Sequence, residues 1–167
     1  MREFTITVRP IAALKPYERN ARTHSKKQIH QIAASIQEFG FINPVIIDNL
    51  DTILAGHGRV EAARSLGWTK VPTIEVDHLT DEQFQAYILA DNKIAQNAGW
   101  DPEILKIELQ HLCSIETCFD LEVTGFATAE IDLIIDGESK KAKDDPADRL
   151  PEEGDNEPTV TRRGRRR

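Results

Sequence analysis

Cysteine is nearly absent: Cys113 and Cys118 are the only two in 167 residues, with no His or Cys partners at metal-ligand spacing. Neither a disulfide framework nor a zinc knuckle is therefore expected, and a reducing compartment suits the chain. No stretch of 18 apolar residues occurs, and the opening MREFTITVRP lacks the apolar centre of a signal peptide, so a cytoplasmic protein without a membrane partner is expected. Positive charge is in deficit as well. A net charge of −7 argues against a surface that grips nucleic acid everywhere, because such affinity comes mostly from neutralising phosphates.

What is present fills one core. Two ordinary domains would not fit in 167 residues, and 40% apolar with 29% charged residues leaves little for a second core. The charge is unevenly spread: from Arg9 to His30, Arg9, Lys15, Arg19, Arg22, Lys26 and Lys27 stand against Glu18 alone, a local charge of +5 before the histidines. Any anion would be drawn there first. Between Asp136 and Arg167, 18 of 32 residues are charged and only Ala142, Ala147, Leu150 and Val160 are apolar. Such a composition predicts a disordered tail or linker, ending in the arginine-rich TRRGRRR, which is either a solvated end or an arm that touches nucleic acid.

Phe4, Ile6 and Val8 alternate with Thr5, Thr7 and Arg9, which predicts a strand with one face buried, closed by Pro10. Ser25-Lys26-Lys27-Gln28 has the form of a capping box, followed by Ile29, Ile32, Ala33 and Ile36 at helical spacing and by Gly40 as the stop. Pro44 to Ile47 and Thr52 to Leu54 read as a hairpin around Asp48, Asn49 and Asp51. A short helix through Val60, Ala62, Ala63 and Leu66 ends at Gly67. Val71 to Val76 reads as a strand in which Pro72 favours an edge or end position. Thr80-Asp81-Glu82-Gln83 is a second capping box, opening a helix with Phe84, Tyr87 and Ile88 on one face and Asp91-Asn92-Lys93 near its end. Asp101-Pro102 starts another helix, with Leu105, Leu109 and Leu112, and Thr128 to Ile135 is the last structured piece. The fold class is α+β: a small mixed sheet with short helices, a helical C-terminal extension and the disordered charged tail. The cysteines fall near that extension and read as core or incidental residues.

Chemistry concentrates in Thr52 to Ala63, where a strand, a glycine-bracketed turn and a helix start follow directly. Free backbone N–H groups and the positive end of the helix dipole make such a place an anion cradle. Gly56 and Gly58 let a phosphate approach the backbone, Arg59 offers a forked charged donor, and His57 either binds the ligand or is a turn residue satisfied by backbone. No Gly-Lys-Ser/Thr follows, which excludes a Walker A loop. The third glycine of G-x-G-x-x-G is replaced by Glu61, although Glu75 or Asp77 lies about 20 positions on, so a dinucleotide site and a purely structural turn both remain as alternatives.

Five segments together narrow the choice. Arg19-Asn20-Ala21-Arg22, Ser35 to Val45, Gly56-His57-Gly58-Arg59, Val71-Pro72-Thr73-Ile74 and Leu89-Ala90-Asp91-Asn92-Lys93 occur in an order and spacing that resemble the N-terminal domain of ParB-like proteins, over about residues 8 to 98. The resemblance implies a ParB/sulfiredoxin-type fold that binds a nucleoside triphosphate, CTP or ATP, with Mg²⁺. It implies that Gly56, Gly58 and Arg59, with His57 beside them, hold phosphates, that Arg22 closes the first box, and that Asp91 places the metal while Asn92 meets the phosphates. With the tail read from composition, the chain divides into a nucleotide-binding domain at 1–98, a helical extension at 99–135 and the tail or linker at 136–167.

The expected function is a nucleotide-binding module acting on or beside DNA, in DNA partition and chromosome segregation or as a regulatory partner of DNA modification. The C-terminal half, through Cys118 to Asp132 and the acidic linker, resembles the region that joins a ParB-like domain to a DNA methyltransferase in phage and mobile-element proteins, though no methyltransferase motif is present. Expected partners are thus DNA, directly or through another protein, and a methyltransferase domain or protein, with a homodimer left open. With only 101–135 available, a whole helix-turn-helix bundle is not expected. Gly58 and Glu61 replace arginines of the partition proteins' glycine box, and Ala95 replaces the one that ends the second box. A sulfinic-acid reductase is rejected because the turn has no cysteine. A metal-dependent nuclease or small-molecule kinase on the same fold, and an interaction domain with a decayed site, are the alternatives; any NTP hydrolysis should be slow, since these motifs supply no strong general base.

Overall fold

A computed structural model describes residues 2–115 and 119–136. Strands β1 (Ile6–Pro10), β2 (Val45–Ile47), β3 (Ile53–Ala55) and β4 (Lys70–Glu75) form a sheet in the order β1-β4-β2-β3. The β1–β4 and β2–β3 pairs are antiparallel, and the central β2–β4 pair is parallel. Helices α1 (Lys26–Phe39), α2 (His57–Ser65), α3 (Asp81–Asn97), α4 (Pro102–Ser114) and α5 (Thr128–Asp136) alternate with the strands and then continue alone. The mixed α+β architecture is the one expected.

Local chemistry explains most boundaries. The Ser25 hydroxyl accepts from the Gln28 amide at 3.1 Å, but the Gln28 side chain meets His24 Nδ1 at 3.0 Å, so only half of the first capping box forms. At α3 the box is complete, with Thr80 and Gln83 satisfying each other's backbone amides. The Asp101 carboxylate caps α4 through the amides of Glu103 and Ile104, with Pro102 at the first helical position. In the hairpin turn, Asp48 accepts from the amides of Leu50 and Thr52. Gly40, with φ +83°, ends α1 as expected.

The core lies between the sheet and α1 and α2. Val45, Ile47, Ile53 and Val71 from the strands meet Ile11, Leu14, Val60 and Ala63, and a second cluster joins Ala33 and Ile36 of α1 to Ala62 of α2. Because strand side chains alternate, Val71 and Thr73 face inward while Pro72 and Ile74 face the other way, opposite Val8 and Ile6.

That pairing corrects two expectations. The apolar side of β1 is not buried: Ile6 is 59% and Val8 64% exposed, and Phe4 lies before the strand. β1 is an edge strand, and its apolar side chains project from the sheet face opposite the buried Val71 and Thr73. Pro72 in turn sits in the interior strand β4. It tolerates that place because the β2 ladder begins only at the next residue, Val45 against Thr73.

The C-terminal piece packs on the rest through α1. A 3-10 turn at Leu121–Thr124 lies against α1, Gln31 Nε2 donates to the Gly125 carbonyl at 3.0 Å, and α4 packs on α5. Cys113 is exposed, so of its two expected roles the core one is corrected. Cys118 and residues 137–167, with the expected disordered tail, lie outside the described residues.

Candidate phosphate site

The end of β3 runs straight into α2. Gly56 stands at the N-cap with φ +101°, and the helix begins at His57, three residues before the expected start at Val60. His57, Gly58 and Arg59 are therefore the first helical turn. The Val60 amide is the first to bond within the helix, to the Gly56 carbonyl at 3.0 Å, and Gly56 offers no side-chain cap. The amides of His57, Gly58 and Arg59 thus have no acceptor among the described residues, and they carry the positive end of the helix dipole.

Side chains converge on the same point. A cavity of about 190 Å³ is lined by Gly56, His57, Gly58 and Arg59, by Asn20, Arg22 and His24 from the loop before α1, and by Asp91 and Asn92 from α3. All seven expected site residues, Arg22, Gly56, His57, Gly58, Arg59, Asp91 and Asn92, share this one cavity. Asn20 and His24 escaped the sequence reading as site residues, as did Tyr17, whose amide meets His57; each is one polar residue in a polar loop, and only its proximity marks it.

Arg59 is the cation at the centre. Its Nε is buried and without a hydrogen-bond partner, and among the described residues no carboxylate lies in ion-pair range of it. Burial pulls the guanidinium below its ordinary pKa, opposed by the Asp91 carboxylate and the Tyr87 phenol. Burial also raises the Tyr87 phenol, with Asp91 adding to the shift and Arg59 opposing it. A buried guanidinium with an idle N–H is a group short of an anion. The two glycines keep the approach open: a Cβ at Gly56 would lie 3.0 Å from Arg59 Nη2, and one at Gly58 would lie 3.1 Å from His24 and from Ile32.

The surroundings of His57 favour its neutral form. Its Nε2 accepts from the Tyr17 amide at 3.3 Å, which leaves the ring proton on Nδ1. Burial lowers its pKa, His24 lowers it further, and Glu61 opposes both. Asn92 donates to the Ile88 carbonyl at 2.8 Å and keeps its amide oxygen. Among the described residues no three His, Cys, Asp or Glu side chains group to hold a metal ion unaided. A metal here fits only as one that arrives on phosphate oxygens and takes a single carboxylate, Asp91, the mode that suits Mg²⁺.

The family profile of the ParB N-terminal domain matches residues 3–93. The chain belongs to the ParB N-terminal domain family. Residues 103–163 match a second profile, the ParB-methyltransferase HTH domain. The expectation that 101–135 leaves too little chain for a helix-turn-helix domain is thereby corrected: the match runs on through the charged segment, whose composition gave no sign of it. The ParB-like nuclease domain-containing protein YnaK of Escherichia coli is 52% identical over 80 residues, which are 48% of this chain and 92% of that protein. A nucleoid occlusion protein of Geobacillus thermodenitrificans is 31% identical over 88 residues, half of this chain but 31% of that one. Among solved structures, the fold is similar to the C-terminally truncated chromosome-partitioning protein ParB of Caulobacter crescentus complexed with CTP-gamma-S. The TM-score is 0.56 at 20% identity, covering 78% of this chain and 70% of that one. Among the described residues of this ParB-family chain, no helix is long and apolar enough to cross a membrane.

Proposed function

We propose that this chain is a nucleoside triphosphate-binding module that works on or beside DNA in the cytoplasm as a partner of DNA modification. The observation that carries the reading is the cavity at the start of α2. Three unspent amides, the idle Arg59 Nε, the Arg22 side chain and the Asp91–Asn92 pair meet around a space that suits phosphates rather than a whole nucleoside. The fold's likeness to a partition protein holding a CTP analogue supports the ligand class, and the ParB-methyltransferase match at 103–163 supports the partner, a DNA methyltransferase domain or protein.

In this reading the amides of His57, Gly58 and Arg59 bind phosphate oxygens, and Arg59 adds a charged fork. Asp91 offers one ligand to the Mg²⁺ that the nucleotide brings, and that ion neutralises phosphate charge near the carboxylate.

Calorimetric titration with CTP, ATP and GTP in Mg²⁺ tests the reading. Saturable binding of one nucleotide is expected, weakened at least about tenfold by Arg59→Ala, since a hydrogen bond to a charged group is worth about 1.5–3 kcal/mol. Heat from none of the three would overturn it. One observation favours a second reading, the word nuclease in the name of the YnaK relative; plasmid nicking that disappears in Asp91→Ala would promote it.

A further inference from the structure

The loop between β1 and α1 carries Asn20, Arg22 and His24 to the cavity, yet little holds it there. Lys15 is anchored to the hairpin, donating to the Asp51 carbonyl at 2.8 Å and accepting from Ile53 at 2.9 Å. Beyond it, Asn20 bonds back to the Tyr17 carbonyl and the Arg22 amide to Asn20 Oδ1, so both bonds stay inside the loop. Among the described residues, the one hydrogen bond that joins residues 16–23 to another element runs from the Tyr17 amide to His57 Nε2. The Tyr17 ring in turn lies 5.4 Å from the ring of Phe84 on α3, the helix that bears Asp91 and Asn92.

Three walls of the cavity therefore meet at one point: the loop through the Tyr17 backbone, α2 through the His57 ring, and α3 through Phe84. We propose that His57 is a positioning residue, whose ring nitrogen latches the Tyr17 loop to the first turn of α2 and so places Arg22 for the phosphates.

Only an unprotonated ring nitrogen can accept from an amide, so the latch requires neutral His57. The groups around it are His24 from the loop, Glu61 and Arg59 on α2, Arg22, and Asp91 on α3. Position 57 therefore acts on the ligand through the loop, and its side chain need not supply positive charge. A glutamine there keeps an acceptor and loses the titration, whereas an alanine loses the acceptor.

The consequence for nucleotide rests on the proposed function, but the latch has its own readout. NMR-detected hydrogen exchange on the full chain should show the Tyr17 amide protected in the wild type and the amides of Glu18 and Arg19, which have no acceptor among the described residues, unprotected. In His57→Ala the Tyr17 amide should exchange several-fold to about tenfold faster, the range one neutral hydrogen bond gives. His57→Gln should restore protection. Titrated with CTP and ATP in Mg²⁺, His57→Ala should bind about threefold to tenfold more weakly, with His57→Gln close to wild type.

Unprotected Tyr17 in the wild type, or equal protection in His57→Ala, overturns the latch, and the wild-type measurement decides even if His57→Ala does not fold. Equal loss of nucleotide binding in both variants overturns the positioning role and makes His57 a direct ligand. If no nucleotide binds the wild type while the exchange pattern holds, the proposed function fails and the latch stands.

Discussion

An alanine at position 56 would carry two penalties that no neighbouring glycine shares. Its backbone has φ +101°, where an L side chain is strained, and its Cβ would touch the Arg59 guanidinium at 3.0 Å. Gly56→Ala should lower stability by about 1–2 kcal/mol in denaturant unfolding, the cost of a left-handed backbone for a residue with a Cβ. It should also displace the cation from the α2 amides and weaken the proposed nucleotide binding. Gly58→Ala meets only the ends of His24 and Ile32, which can shift, so it is the milder change. The position needing glycine most is legible in the sequence as one of a bracketing pair; which of the two, and what its missing Cβ makes room for, depends on a guanidinium folding back three residues along the chain.

Helix starts were easier to read than strand burial, for a physical reason. Caps are short-range: Thr80 with Gln83, and Asp101 with Pro102, are satisfied within one turn and need no knowledge of the rest of the protein. Strand alternation tells which residues share a face, but not whether anything covers that face. In β1, Ile6 and Val8 share a side as the alternation implies, and that side is open because it projects from the sheet face opposite the core. The difference is measurable. Val8→Thr should change stability by less than about 0.5 kcal/mol, as at other open surface positions. Ile47→Ala, at a fully buried side chain of β2, should cost about 2–5 kcal/mol in the same unfolding experiment. A large cost at Val8 would mean that its face is covered after all.

Among the described residues, the helical C-terminal piece meets the sheet layer through the Leu121–Thr124 turn on α1, the Gln31–Gly125 bond and the Phe39–Phe119 ring pair at 5.8 Å. Inside that piece, Trp100 meets Phe126 at 5.6 Å while remaining 72% exposed. Thin joints open before cores do. Phe126→Ala should therefore speed hydrogen exchange in α4 and α5 while leaving β2 and β4 at wild-type protection, a pattern that peptide-resolved exchange can read. Uniform acceleration would show instead that the two parts unfold together.

Composition and near-neighbour chemistry were enough to place most of the helices, the hairpin and the glycine turn, because each depends on atoms within a few positions of one another, while the grouping of the motif residues rested on a family resemblance. The fold had to decide which cation stands idle, which face of β1 is bare, and that Tyr17 meets His57 across 40 positions. Those facts rest on burial and on distances between remote segments, and neither exists until the chain has closed on itself.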